Sequence, residues 1–486
     1  MNYRFLIYLL GTVMLILSAL MLLPMLVSVI YSESVLPFLY TVLILLALAL
    51  PAVLLSRPRQ KKIYAKEGFV LVALSWSLMS LISALPFVFS GTIPNYIDAL
   101  FETVSGYTTT GASVMQGAQI DLAPRGIMFF RSFTHWIGGM GVLVFMLAIL
   151  PSDGNGAIHI MRAEVPGPTK GKLVPRLRHT ALILYGIYIT ITLVETVALM
   201  LCGLPLYDAL VTSFSTTGTG GFSVLSASVG GYGNPAAEWV ISVFMLLSGV
   251  NFNIYYFILI KSFTPIFKNE ELKVYFAICL LATAAVTVNL TVACADAFPS
   301  VGDAIRGAFF QVTSIMSTTG FVTADISLLP ELTQTLLFVL MFFGACAGST
   351  AGGIKISRLT IIFKMMRSNL RRMLKPNSVK ALKLNGEPMR DEVGTASLGY
   401  LALYSATLLV TLILVATDGF SLTTSITATV SCFNNVGPAL GDASASFACF
   451  SPFTKLVLTL AMLFGRLEIY PMLILLSPTT WRRSMN

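Results

Sequence analysis

Residues 105–111 read SGYTTTG, and the chain returns to that phrase three more times: STTGTGG at 215–221, SIMSTTG at 314–320 and SCFNNVG at 431–437. Each opens on a serine, passes through mostly small or polar residues and closes on a glycine six positions later. Gly111, Gly221, Gly320 and Gly437 are separated by 110, 99 and 117 residues, and Ser105, Ser215, Ser314 and Ser431 keep step with them. In the second phrase Gly218 and Gly220 offer competing registers; the serine match selects Gly221.

The phrase is out of place in its surroundings. Of 486 residues, 56% are hydrophobic and 11% charged, with a mean hydropathy of +0.83. Soluble chains carry roughly 25% charged residues. Apolar runs of helix-spanning length recur from end to end, which defines an integral membrane protein of the helical type. A β-barrel would instead alternate apolar and polar residues over about ten positions. The run over 5–30 is too long for a signal-peptide core and lacks a small-x-small cleavage site, so a retained helix is expected. The six cysteines form no CxxC pair and sit mostly in or beside apolar runs, as small buried hydrophobes rather than a metal or disulfide framework.

Ten spanning segments are expected, over about 5–30, 36–56, 67–90, 127–150, 180–203, 237–262, 273–297, 333–362, 394–416 and 454–478. Four shorter segments lie between them, at 96–108, 205–218, 302–317 and 420–434. About three helical turns cannot cross a hydrocarbon core of roughly 30 Å, and each short segment leads into one of the four phrases. With a cytoplasmic amino terminus, the inner side takes Arg4, RPRQKKIYAK (57–66), MRAEVPGPTKGKLVPRLRH (161–179), Lys261 to Lys273, Lys355 to Arg390, and Arg482 with Arg483. These hold most of the 31 Lys and Arg. The distribution obeys the positive-inside rule and explains the net charge of +9 by topology, without nucleic acid. The same choice puts all four phrases on the outer side. The fold class that follows is an all-α integral membrane protein: four pseudo-fourfold helix–pore-helix–loop–helix repeats around one pore, after an amino-terminal helix pair. The helix pair takes 1–62 and the repeats 63–152, 176–265, 270–365 and 392–486, with a cytoplasmic linker at 366–391.

Non-helical backbone survives at membrane depth only where it is buried or lines a watery cavity. Four such loops in one chain imply loops that face a common axis. Their side chains share no chemistry: Thr110, Gly220, Thr319 and Val436 precede the glycines, and Ala112, Phe222, Phe321 and Pro438 follow. No ring of Asp, Glu or Lys occurs at an aligned position. The common feature is main chain, with a glycine that permits φ values turning carbonyls inward. Carbonyl rings replace the hydration shell of a dehydrated cation, as in the K⁺-channel filter, and short helices aimed by their carboxyl ends add attraction. The candidate ion-binding residues are therefore Thr110, Gly111, Gly220, Gly221, Thr319, Gly320, Val436 and Gly437, with K⁺ as the expected cargo. Small-residue loops also serve helix packing. Broken helices also occur in secondary transporters, normally as two halves rather than four quarters. An enzyme is not indicated: His135 and His159 lack an HExxH pattern, and GSTAGGIK (348–355) misses the phosphate-binding GxxxxGK[ST].

The four phrases, with HWIGGMGVLVF (135–145), GACAGSTAGGIK (344–355) and GRLEIYPMLILLSPTTWR (465–482), resemble the TrkH/KtrB/HKT superfamily of K⁺ transporters. Within it the match is to the bacterial TrkH/TrkG branch, over nearly the whole chain. The resemblance implies one pseudo-fourfold pore per subunit, a homodimer, and a cytosolic TrkA-type nucleotide-binding ring that controls opening. It implies one filter glycine per loop, where ordinary K⁺ channels keep TVGYG. The fourth loop, NNVGPAL, departs furthest, which suggests looser discrimination against Na⁺. The expected function is K⁺ uptake through a gated, channel-like pore in a bacterial inner membrane, with both termini cytoplasmic; ion-coupled K⁺ symport with Na⁺ or H⁺ is the alternative.

GACAGSTAGGIK interrupts what hydropathy reads as one spanning helix. Four glycines, a serine and a threonine in twelve positions are poor for helix continuity. Such a run serves close helix packing or a flexible loop that obstructs a pore. The resemblance implies the loop, with Gly344, Gly348, Ser349, Thr350, Gly352, Gly353 and Lys355 as gate residues and the basic tail KMMRSNLRRMLK leading to the regulator. Lys355 either snorkels to the interface or belongs to the gate, and the family's lysine there favours the gate. Arg466 sits midway along the last span, where a charge faces the interior; the resemblance makes it a pore barrier below the filter. Glu468, two residues on, shares no helix face with Arg466 and is expected to make an interior hydrogen bond. Asp98, Glu102, Asp208 and Asp303 are expected to stabilise the amino ends of the short helices. His135 and Trp136 are expected in packing or at the interface.

Overall fold

The computed structural model describes residues 1–57, 64–141, 177–294, 298–375, 382–389 and 391–481. Most of the basic loop 57–66, the end of the expected span 127–150, nearly all of the loop 161–179, Arg390, and Arg482 with Arg483 lie outside the described residues.

Six described stretches are helical, long and apolar enough to cross a bilayer: Tyr3–Ile30, Leu36–Leu55, Lys66–Phe89, Ala181–Leu201, Glu270–Ala293 and Glu392–Asp418. The first two pack together as the amino-terminal pair. Their approach is close because Gly11 lacks a side chain; a Cβ there would lie 2.8 Å from that of Ala52, the small-residue contact typical of membrane helices. The other four open the repeats. Their outer faces carry bare apolar side chains, such as Leu280 and Val292, which are 72% and 80% exposed. The interior, by contrast, holds Ser, Thr, Asn and charged residues. That inversion suits a hydrocarbon solvent.

Each opening helix is followed by a short one: Tyr96–Tyr107, Leu206–Gly218, Val301–Met316 and Leu422–Asn434. Three carry a side-chain cap, with Asn95, Ser300 and Ser421 accepting from amides of the first turn. Asp98, Asp208 and Asp303 occupy the first turns as expected. The Asp303 carboxyl is held below its usual range by Ser300, against a smaller opposing effect of desolvation and with help from Arg306.

The closing helices depart from the expectation of unbroken spans. In repeat 2, Pro235–Ser248 and Phe252–Leu259 meet at 92°. In repeat 3, Glu331–Leu340 and Ile356–Leu374 are separated by the glycine-rich stretch, whose ends pair as short parallel strands, Phe343 with Ile354 and Gly344 with Lys355. In repeat 4, Pro452–Arg466 and Tyr470–Leu476 flank Glu468 and Ile469, both at left-handed φ. In repeat 1 the described helix, Arg125–Gly139, ends at Gly-Met-Gly. The segments 237–262 and 454–478, read from hydropathy as continuous, are thus broken. The sequence marked only 344–355 as an interruption, because Val250 and Leu467 keep the apolar run going through the other breaks. Beyond repeat 3, a hairpin pairs Lys383–Leu384 with Glu387–Pro388, and Asn385 accepts from the Glu270 amide at 2.9 Å.

Candidate ion site and gate

The four short helices end alike. Two residues before each glycine the backbone turns left-handed, at Thr109, Thr219, Thr318 and Asn435, with φ of 55°, 58°, 56° and 56°. One residue later the amide reaches back to the phrase's serine carbonyl: Thr110 to Ser105, Gly220 to Ser215, Thr319 to Ser314 and Val436 to Ser431, at 2.8–2.9 Å. The left-handed residue closes a second bond of 3.0–3.4 Å to the carbonyl three residues back. This pair of bonds is the Schellman ending of a helix. It explains why the serine register holds: that residue lies four positions before the left-handed residue in every repeat. Threonine at positive φ is strained, yet three of the four corners use it.

The glycines then close a ring. A Cβ built on Gly111 would lie 2.1 Å from the carbonyl oxygen of Gly220, one on Gly221 2.1 Å from that of Thr319, and one on Gly320 2.1 Å from that of Val436. One on Gly437 would lie 2.6 Å from that of Thr110, which returns the circuit to its start. All four glycines have positive φ, from 75° to 105°. The loops therefore meet around one axis in chain order, and the carbonyls at the contacts belong to Thr110, Gly220, Thr319 and Val436. Gly221, rather than Gly218 or Gly220, has the φ and the contact of the other three. Gly218 ends its helix, and Gly220 is fixed by sterics of another kind: a Cβ there would meet the His135 ring at 2.2 Å.

His135 is buried between two repeats. Its Nδ1 is 2.7 Å from the Gly106 carbonyl and its Nε2 accepts from the Phe222 amide at 3.2 Å. Those two partners fix the tautomer with the proton on Nδ1. The expectation of packing thus gains a specific content: the ring joins the first short helix to the second loop. Trp136 donates to Thr192 at 3.1 Å. Glu102 departs from its expected role. It is buried on the inner face of its helix and accepts from Ser113 Oγ at 2.8 Å, the Val114 amide at 2.9 Å and Arg131 Nε at 2.6 Å.

The glycine-rich stretch lies against the ends of the third and fourth short helices. The Gly352 amide donates to Thr318 Oγ1 at 2.8 Å, and a Cβ on Gly352 would be 2.4 Å from the Asn434 carbonyl. The break in repeat 2 holds it from one side: Cys346 donates to the Gly249 carbonyl, Thr350 Oγ1 to that of Ser248, and Phe252 to that of Gly348, at 3.0, 3.3 and 3.0 Å. Ser349 donates to the Cys346 carbonyl. Lys355 does not reach a polar surface. It is buried, and its ammonium donates to the Ala351 and Gly352 carbonyls of the stretch itself. Glu271, which sequence reasoning did not single out, accepts from the amides of Ala347 and Ser357 at 2.7 and 3.0 Å and so staples both ends. Gly344 and Gly353 pack on one another, with Gly353 at positive φ.

Arg466 spans the site from the fourth side. It donates to the Thr350 carbonyl at 2.5 Å and to those of Gly138 and Gly139 at 2.6 and 3.0 Å. One guanidinium thereby joins the breaks of repeats 4 and 3 to the end of the described helix of repeat 1. Glu468 points elsewhere and makes a two-bond ion pair with Arg358, at 2.5 and 3.0 Å, with the Arg358 guanidinium over the Tyr400 ring. Its expected hydrogen bond is an ion pair, and the left-handed turn at 468–469 is what aims it away from Arg466.

Fold and site define a polytopic helical membrane protein in which four helix–short-helix–loop–helix units of one chain converge on a common axis. The chain belongs to the TrkH family, whose description is cation transport protein and which matches residues 38–482. It is a transport protein and not an enzyme. It is 37% identical over 491 aligned residues to the Trk system potassium uptake protein TrkH of Salmonella typhimurium, covering 99% of this chain and 100% of that one. It is 34% identical to the Trk system potassium uptake protein TrkG of Escherichia coli K12, over 95% of each. Among solved structures it superposes on the potassium transporter TrkH from Vibrio parahaemolyticus with a TM-score of 0.89 and 32% identity, covering 99% of this chain and all of that chain.

Proposed function

We propose that this protein takes up K⁺ through a gated, channel-like pore, with the ion held by main-chain oxygens at Thr110–Gly111, Gly220–Gly221, Thr319–Gly320 and Val436–Gly437. The observation that carries this is the closed circuit of glycine-to-carbonyl contacts, which leaves four carbonyl-bearing corners around one axis. A dehydrated cation needs such a ring, because carbonyls must replace its water. Four short helices arrive there by their carboxyl ends, where the helix dipole is negative. Potassium uptake is the named activity of the relatives.

The stretch 344–355 acts as the gate, resting on the helix ends, and Arg466 acts as its latch and as a positive barrier in the path. Opening replaces the Arg466 bonds to Thr350, Gly138 and Gly139 with water or with new partners. A cytosolic TrkA-type nucleotide-binding ring drives this by moving the basic helix Ile356–Leu374, which leads directly out of the gate. The protein works as a homodimer in a bacterial inner membrane, with both termini cytoplasmic. Flow follows the membrane potential, worth roughly 2.3 kcal/mol per charge per 100 mV.

Single-channel recording of purified protein in planar bilayers, with K⁺ on one side and Na⁺ on the other, tests the reading. A reversal potential near that of K⁺ and independent of the proton gradient is expected. A reversal potential that moves with Na⁺ or H⁺ coupling would replace the channel by a symporter, and the absence of any K⁺ preference would refute the filter.

A further inference from the structure

We propose that the buried ion pair Arg131–Glu102 is a positioning element that sets ion discrimination by locking the corner between the first and second loops. This rests on reading the four loops as a cation filter. Glu102 is fully buried and Arg131 is 3% exposed. The two carboxylate oxygens of Glu102 hold the segment just beyond Gly111, through Ser113 Oγ and the Val114 amide. Arg131 binds that carboxylate through Nε at 2.6 Å and, through Nη1, the Ser223 carbonyl just beyond Gly221 at 3.0 Å. Its guanidinium lies 3.6 Å from the centre of the Phe222 ring, and that ring lies 4.2 Å between centres from His135. One charge pair therefore fixes the outgoing segments of two adjacent loops to each other.

Repeats 3 and 4 hold the segment beyond their own glycine with neutral groups. Nine residues before its glycine, repeat 3 carries Gln311 where repeat 1 carries Glu102. Gln311 reaches Thr323 Oγ1 and the Ala324 carbonyl, at 3.4 and 3.5 Å. In repeat 4, Thr427 accepts from the Leu440 amide at 3.0 Å, the position that matches Val114. Among the described residues the ionic lock belongs to one corner. A smaller ion is accommodated when carbonyls close in on it, so stiffness at the ring favours the larger ion. A forked guanidinium hydrogen-bonded to the Glu102 carboxylate and to the second loop is a stiff link of that kind.

The pair also carries opposite charges beside two of the four loops, and this gives a readout that a merely structural role would not move. Glu102→Gln leaves a bare guanidinium behind the ring; Arg131→Met leaves a bare carboxylate; the double variant is neutral again. In reconstituted full-length protein we expect all three to raise the Na⁺/K⁺ permeability ratio about tenfold, the worth of roughly one hydrogen bond. Unitary K⁺ current should fall in Glu102→Gln, rise in Arg131→Met and return toward wild type in the double variant. Ser113→Ala, which removes the hydroxyl's bond to Glu102 and the bond it accepts from the Met115 amide but leaves the ion pair, covers the case in which burial of a lone charge prevents folding. It should raise the ratio about threefold on the same scale. An unchanged ratio in Ser113→Ala, or in any folded variant of the pair, would overturn the proposal. Failure of the underlying filter reading shows separately, as a wild-type protein with no K⁺ preference.

Discussion

Substitution of one ring glycine by alanine separates a bent backbone from a displaced ligand. At Gly221 a methyl group would lie 2.1 Å from the Thr319 oxygen, whereas carbon–oxygen contacts settle at roughly 3.3–3.6 Å. The carbonyl must retreat by about 1 Å. An oxygen with about half a unit charge, drawn from ~3 to ~4 Å from a cation, loses roughly 0.7 kcal/mol at an effective dielectric of about 20. Half-saturation for K⁺ flux should then rise about threefold, and the K⁺/Na⁺ permeability ratio should fall. Alanine at φ +75° adds a strain of about 1–2 kcal/mol. Gly91 supplies the control: its φ is +72° and nothing lies within 4 Å of its added Cβ. Gly91→Ala should show the strain as lower thermal stability, with unchanged flux and selectivity. The assay is ⁸⁶Rb⁺ or K⁺ flux into proteoliposomes over a concentration series, with melting followed in parallel. If Gly221→Ala and Gly91→Ala gave the same K⁺ dependence, the carbonyl at Thr319 would not be an ion ligand.

Arg466→Gln should raise open probability in the absence of the cytosolic partner. It exchanges charged donors to Thr350, Gly138 and Gly139 for at most one neutral amide; the loss of roughly 3 kcal/mol shifts closed against open on the order of 100-fold, and an unchanged open probability with only a larger unitary current would leave Arg466 as a barrier alone. Gly220→Ala should impair K⁺ flux because its methyl meets the His135 ring, and adding His135→Ala should recover part of the loss, with a coupling of about 1 kcal/mol or more; a double variant no better than Gly220→Ala would sink the steric account.

The parts legible in the sequence were those written locally. A serine four residues before each left-handed turn and a glycine beyond the turn are consequences of one capping motif, so the repeat register could be read from spacing. The short helices begin and end within two residues of expectation for the same reason. The left-handed threonines were not legible, because tertiary packing imposes a conformation that threonine does not prefer. Nor were the breaks at 249–251 and 467–469, where hydropathy is blind to a turn within an apolar run. Partners distant in sequence were the other gap. Glu102 lies 29 positions from Arg131 and Arg358 110 from Glu468, and spacing says nothing about such pairs. The signal available was weaker but real: each is a charge set in an apolar run, which cannot stay there unpaired. His135 is likewise a polar group in an apolar run, though neutral, and its service to Gly220 shows why the second loop alone lacks a side chain at that corner.

A pore assembled from four identical subunits meets every substitution four times over, so its symmetry is inherited and cannot be edited. Here the corners Thr110–Gly111, Gly220–Gly221, Thr319–Gly320 and Val436–Gly437 are spelled by separate stretches of one reading frame, and each mutates alone. Asn435 and Pro438 in the fourth, an imidazole standing in for a side chain in the second, and an ionic tether at the first are unlike solutions to one geometric demand. An off-centre field and a preferred side of approach for the ion are open to this chain in a way that a homotetramer forbids.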